Sequence, residues 1–297
     1  MVSGGMASGI HYLGLLDFFD GVYGASAGSI NGAFLVARQA PFGTTIYYEN
    51  INNRDFIDLR RALVGRSVMS LEFLIDEVMT NRRVLDWRAV LASPVPLTIV
   101  ASSITRRDVA VFRNFKSRDE LNQAMRASAR IPLIAGGPVS IGDERYLDAV
   151  LFEPIPYKTA LTDGCTHVMV LRTRPLGSRL GAAGLFTRYV VAPQLERLSK
   201  GMGRVLLERG QRYNADLDFL EAANIPSGDG PYLYSVCLPK QAPILDRMET
   251  RRERLVAGAA AGMSTLLRNV GGIDANVIEV LQPFTTEGLG LFRFEAR

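Results

Sequence analysis

Short β-branched runs alternate with longer amphipathic ones along this chain, and that alternation constrains the fold more than any other feature. It is the pattern of a largely parallel sheet covered by helices, an α/β class. The strand candidates are 21–23, 97–102, 109–113, 168–172, 232–238 and 277–281, and the helix candidates are 9–19, 27–38, 71–79, 118–127, 192–224 and 245–269. Residues 138–147, PVSIGDERYL, read as a hairpin because β-branched residues flank Gly142-Asp143. Two Gly-, Pro- and Ser-rich stretches, PLGSRLGAAG at 175–184 and IPSGDGP at 225–231, read as connections. Strand-like segments recur after both and extend the same sheet in this reading. The expectation is one domain over 1–297: a core over 1–175, then a helical and lid segment with further strands over 176–297.

A chain of 297 residues with 47% hydrophobic and 22% charged side chains has enough apolar material for a large core. The net charge is +4, but the arginines are scattered apart from RRALVGR at 60–66, NRR at 81–83 and METRRER at 248–254. No basic stripe interleaved with aromatics is present, which argues against a nucleic-acid partner. No apolar run approaches the ~18 residues of a membrane span, and no secretory n-region and h-region opens the chain. The expectation is a soluble, cytoplasmic protein with transient membrane-surface contact. Cys165 and Cys237 sit in apolar, strand-like stretches and read as buried free thiols of a reducing compartment.

Gly24-Ala25-Ser26-Ala27-Gly28 fits G-x-S-x-G, the elbow in which a serine sits on a strained turn between a strand and a helix. FFDGVY supplies the apolar approach at 18–23, and AGSINGAFLVAR the helical spacing at 27–38. The competing reading is that five small residues merely allow close packing. A nucleophile also needs a base and an oxyanion hole, so those decide the matter.

The chain has two histidines, His11 and His167, and the order Ser26, Asp148, His167 is that of α/β-hydrolase triads. The other candidate base is a carboxylate acting alone. Asp148, in RYLDAVLFEPIP, ends a strand-like run and is followed by apolar residues; partial desolvation would raise its basicity. Its plainer role is to initiate a turn. SGGMASG at 3–9 precedes a helix-like stretch and is the candidate source of backbone N–H donors for an oxyanion. Neither G-x-x-x-x-G-K-[ST] nor G-x-G-x-x-G is present, which leaves a nucleotide site the weaker use of that stretch.

The glycine-rich start, the G-x-S-x-G and the Asp after a hairpin together resemble the patatin-like phospholipase family. RASARIP at 126–132, PVSIGDERYLDAVLFEPIP at 138–156, CTHVMVLRTRP at 165–175, ERGQRYNADLDFLEAA and the terminal VIEVLQP extend the resemblance over essentially the whole chain. It implies a three-layer α/β/α fold with a mostly parallel central sheet, and a Ser-Asp dyad acting on lipid or phospholipid acyl esters with no metal or organic cofactor. By position, Ser26 is the nucleophile and Asp148 the base. The family's glycine loop falls on Gly4, Gly5, Met6, Ala7, Ser8 and Gly9, which places the oxyanion donors on those amides. Met6, Ser8 and Ala149 depart from the family's glycine, basic residue and glycine. Only Met1 and Val2 precede Ser3, so the family's first strand is expected to be incomplete.

An acyl chain needs an apolar groove, and Leu185–Val191 either lines or covers one or packs as an ordinary core helix. Arg179 and Arg188 are the candidates to face a headgroup. The function expected is ester hydrolysis through an acyl-enzyme. The alternatives are a binding scaffold that has lost turnover and an acyltransferase using the same dyad.

Overall fold

A computed structural model describes residues 1–223, 230–242 and 244–273. The chain begins with α1 (Val2–Tyr12) and then β1 (Val22–Ala25) and α2 (Ala27–Val36). Three short helices, α3 (Ala40–Thr44), α4 (Ile46–Glu49) and α5 (Trp87–Leu91), precede β2 (Leu97–Ser103) and β3 (Asp108–Phe112). Next come α6 (Arg118–Ala129), β4 (Val139–Ile141), β5 (Glu144–Leu147), α7 (Tyr157–Thr162) and β6 (His167–Arg172). The remainder is α8 (Ala192–Leu198), α9 (Met202–Ala223), β7 (Tyr232–Cys237) and α10 (Arg252–Gly271). The expected strand at 277–281 lies outside the described residues, as do Asn224 and most of the 225–231 connection.

The architecture is α/β/α. β2, LTIVASS, is buried along its whole length and is the strand on which the larger sheet is built. β1 pairs with it in parallel, and β3 and β5 pair with it antiparallel. The hairpin of β4 and β5 turns at Gly142, whose φ of 59° explains the glycine there. β6 and β7 pair in parallel with each other, and among the described residues they form a separate two-stranded sheet rather than extending the first. The helices α2 and α6 pack on β1 and β2, while α7 and α9 pack on β6 and β7.

Local chemistry explains several boundaries. Ser117 caps α6 by accepting from Glu120 N–H, and Glu120 reaches back to Lys116 N–H, a reciprocal N-terminal lock. The helix expected over 192–224 breaks between α8 and α9, where Ser199 is extended and Gly201 takes a φ of 89°. The helix expected from 245 begins only at Arg252, because Asp246 and Glu249 hold the preceding turns by accepting from Met248 N–H and Arg251 N–H. Residues 73–82 wind with i→i+5 spacing at their end, where Arg83 N–H donates to Val78 C=O.

The largest correction concerns the start of the chain. SGGMASG is not a loop: Val2–Tyr12 is one helix, with Gly5 N–H donating to Met1 C=O at 3.0 Å. Its glycines serve contact with α10. A Cβ on Gly5 would lie 1.9 Å from Ala259 O, one on Gly9 2.7 Å from Leu266 Cδ2, and one on Gly262 of α10 2.2 Å from Val2 O. Glycine therefore lets two helices touch backbone to backbone, and small residues that read as flexibility provide close packing instead. Gly5→Ala is expected to lower stability by about 1–3 kcal/mol through overpacking. Gly181→Ala, where nothing lies within 4 Å of the new methyl, should stay within about 0.5 kcal/mol. Urea titration of both variants checks the contrast, and equal stabilities would refute the packing role.

Candidate active site

Ser26 stands between β1 and α2 with φ 52° and ψ −126°, a combination that non-glycine residues rarely adopt. The turn is tight because β1 runs directly into the first turn of α2. A Cβ on Gly24 would lie 2.6 Å from both Gly28 O and Ser29 Cα, so only glycine fits at that position. Two serines hold the turn. Ser26 N–H donates to Ser128 Oγ at 2.8 Å, and that hydroxyl donates to Val100 C=O of β2 at 2.6 Å. Ser29 donates from both its backbone N–H and its hydroxyl to Ser26 C=O.

Asp148 follows β5 and is only 2% exposed. Its carboxylate is fully used: Oδ2 accepts from Ser26 Oγ at 2.6 Å and Oδ1 from Val150 N–H at 2.8 Å. Its backbone is fixed as well, with its N–H donating to Arg130 C=O and its C=O accepting from Ser102 Oγ. Burial raises its pKa above the ordinary carboxylate value; the bonds from Ser26 and Val150 and the charges of Arg247 and Arg209 offset part of that rise. The structure thus brings together Ser26 and Asp148, 122 positions apart in the chain.

The histidines are elsewhere engaged. His167 pairs with Thr166 Oγ1 and stacks on Tyr232 with ring centroids 4.7 Å apart. His11 lies edge-on to Tyr12, and burial and Arg38 lower its pKa. Neither is hydrogen-bonded to Ser26 or Asp148, so the Ser26, Asp148, His167 triad is not assembled.

The expected oxyanion stretch also fails as drawn. Gly4, Gly5, Met6, Ala7, Ser8 and Gly9 are buried within α1, and from Gly5 onward their amides lie in the helix ladder. The Ser8 hydroxyl turns back on Gly4 C=O at 3.0 Å. Ala27 and Gly28 open α2 directly after Ser26, at the end of a helix where backbone amides have no intrahelical partner, and both residues line the same cavity as Ser26 and Asp148. The sequence carried that signal, since the residue after an elbow nucleophile normally supplies one such N–H.

That cavity has a volume of about 1150 Å³. It lies between β1 and β6, with Val22 and Ala25 on one wall and Val168 and Val170 on the other. Further apolar lining comes from Ile10, Ile30, Phe56, Leu71, Leu74 and Ile155, so the reactive pair faces a largely hydrocarbon space. Tyr23 spans toward the second sheet, its phenol donating to Asp163 Oδ2 at 2.9 Å and lying 3.7 Å from Cys165 Sγ. Cys165 and Cys237 are free and half-buried rather than fully buried. Among the described residues no three His, Cys, Asp or Glu side chains gather as a metal-binding group, and no helix is long and apolar enough to cross a membrane.

The model of the patatin-like phospholipases matches residues 1–161, a span that includes both Ser26 and Asp148. This chain belongs to the patatin-like phospholipase family. The chain is also similar to the uncharacterized protein YjjU of Escherichia coli strain K12, with 24% identity over 180 residues that cover 58% of this chain. It spans half the length of that curated relative, 50%.

The raised pKa of Asp148 has a consequence for stability. The folded chain holds this proton more tightly than the unfolded one, so the associated stability is present at low pH and lost as pH rises through the folded value. At pH 7 the ionised carboxylate is a cost that Asp148→Asn removes, while the amide oxygen still accepts from Val150 N–H and the NH2 turns to donate to Ser26 Oγ. The variant is expected to melt at or above the wild-type temperature at pH 7, with the difference shrinking toward pH 4. Thermal melts across that range check it.

Proposed function

We propose that this patatin-like protein is a serine acyl hydrolase of the lipase or phospholipase A type that works through a Ser26-Asp148 dyad. The observation that carries the reading is the 2.6 Å hydrogen bond from Ser26 Oγ to a buried carboxylate, at a strained elbow on the wall of an apolar cavity. As Oγ attacks the ester carbonyl, its proton passes to Asp148 Oδ2. The oxyanion is held by the N–H groups of Ala27 and Gly28, with modest support from the positive end of α2. Collapse expels the alcohol, which takes the proton from Asp148 and leaves an acyl ester on Ser26. Water then attacks that ester with Asp148 again as base, and Asp148 returns the proton to Ser26 Oγ as the bond to it breaks and the carboxylic acid departs.

Burial suits Asp148 to this work, because a carboxylate of ordinary pKa is too weak a base to draw a proton from an alcohol efficiently. The reading treats the chain as one domain and the enzyme as a peripheral visitor to lipid. Leu185, Phe186 and Tyr189 are 74%, 63% and 69% exposed, which fits surface contact and not the core helix weighed from the sequence; Val191 alone of that turn is buried well.

Treatment of the folded protein with a fluorophosphonate, followed by peptide mass spectrometry, is expected to place the adduct on Ser26 and to lose it in Asp148→Asn. No adduct on folded protein would instead favour a binding scaffold. On a short soluble ester, Asp148→Asn should lower kcat by about 10³-fold or more, with His167→Ala within about threefold of wild type. The acid limb of kcat/KM should lie above the ordinary carboxylate pKa of ~4, in keeping with the raised value of Asp148.

A further inference from the structure

The headgroup candidate Arg179 is engaged by Asp218 at 2.6 Å and Glu221 at 2.9 Å. Arg130 is placed differently. It is buried at the C-terminal end of α6, where its backbone C=O accepts from Asp148 N–H at 3.0 Å. Its guanidinium is held at two further points: Nη1 donates to Ala135 C=O at 2.5 Å, and Nη2 to Glu72 Oε1 at 2.8 Å. Glu72 precedes the helix Phe73–Arg82 and makes no capping bond to it. Leu71 and Leu74, which flank Glu72 in sequence, both line the cavity that holds Ser26 and Asp148, as does Ile131 next to Arg130.

The contact with Glu72 is one rung of a ladder. Arg126 pairs with Asp76, and Arg118 donates to Thr80 Oγ1, so that Arg130, Arg126 and Arg118 meet Glu72, Asp76 and Thr80 in antiparallel order. Steps of four residues keep each set on one face of its helix. The ladder joins two tasks. α6 and its cap hold the nucleophile, because Ser128 Oγ accepts from Ser26 N–H, and the base, because Arg130 C=O accepts from Asp148 N–H. The segment gripped by the ladder supplies Leu71 and Leu74 to the hydrocarbon wall. Stability alone explains Arg130 poorly: its buried Nε has no hydrogen-bond partner among the described residues, and desolvating a guanidinium is costly unless every donor is matched.

An acyl chain in the cavity packs on Leu71, Leu74 and Ile131. Whatever firms that wall acts on Arg130, across the Glu72 contact or from the next position in the chain. We propose that Arg130 and Glu72 are positioning residues that tie the acyl-binding wall to Asp148, so that filling the cavity with a long chain steadies the base and raises turnover as well as affinity. Binding energy from the non-reacting part of a substrate appears in kcat when it is used to order the reacting groups. The inference rests on the Ser26-Asp148 reading and deepens it, since it makes acyl length a determinant of the chemical rate.

The test measures kcat and KM for p-nitrophenyl acetate and p-nitrophenyl octanoate, whose acyl group occupies the cavity during acylation and deacylation alike. Glu72→Ala carries it, because the Glu72 side chain is 55% exposed and its removal opens no core. The variant is expected to lower the ratio of kcat, octanoate over acetate, by about fivefold or more, with KM for octanoate within about twofold of wild type. Glu72→Gln keeps an oxygen that accepts from Arg130 and should restore most of the ratio. An unchanged ratio overturns the proposal. So does a fall shared equally by both esters, which marks a structural defect, or a fall confined to KM, which marks a wall that only binds. If wild type cleaves neither ester, the dyad reading falls and the coupling is read without turnover: 1-octanol should slow amide exchange of Asp148 by about fivefold or more in wild type and not in Glu72→Ala. Equal slowing in both proteins, or none in either, overturns the inference.

Discussion

The backbone of Ser26 is the constraint on which the site depends. Residues held in sparsely populated φ/ψ regions cost on the order of 1–3 kcal/mol and persist only where their surroundings over-determine them. Here the surroundings do so from three sides: α2 closes on Gly24, Ser29 bonds the carbonyl of Ser26, and Ser128 bonds its amide. The strain lifts the hydroxyl out of the strand direction and onto Asp148. Without the close contact at Gly24, β1 and α2 would separate and the 2.6 Å hydrogen bond would have no reason to form.

The same dependence on small residues recurs at the other end of the core, where α1 meets α10. The contacts of Gly5, Gly9 and Gly262 leave almost no space between the helices, and they seat α1 so that Val2, Ala7 and Ile10 reach the cavity wall. One amino acid type thus does two jobs. At 24 it frees a helix to approach a strand, and in α1 it frees a helix to approach a helix.

That double use explains what the sequence made legible. The α/β class, most strand positions and the elbow were readable because periodicity and the flanking glycines point the same way. Asp148 was readable because a hairpin leads into it, and the pairing of Leu147 with Ser102 fixes its place beside β2. SGGMASG was misread because a run of small residues has the same composition whether it makes a loop or a tight helix contact, and only the partner α10, some 250 residues later, decides. The arginines of the cavity were hidden for a similar reason. Arg174, Arg209 and Arg247 come from three distant segments, and nothing in local spacing separates Arg209, whose side chain makes no hydrogen bond or ion pair among the described residues, from Arg212, which donates to Leu151 C=O and Val205 C=O.

The reacting residues share an anchor that is easily overlooked. Ser26 hangs by its amide from Ser128 and so from Val100, and Asp148 hangs by its carbonyl from Ser102, which places both on the buried central strand β2. Local opening of a loop therefore leaves their separation untouched, since loops open at far less free energy than core strands. Only melting of β2 itself separates them, which gives the nucleophile and its base the rigidity of the hydrophobic core although one of the two belongs to a turn.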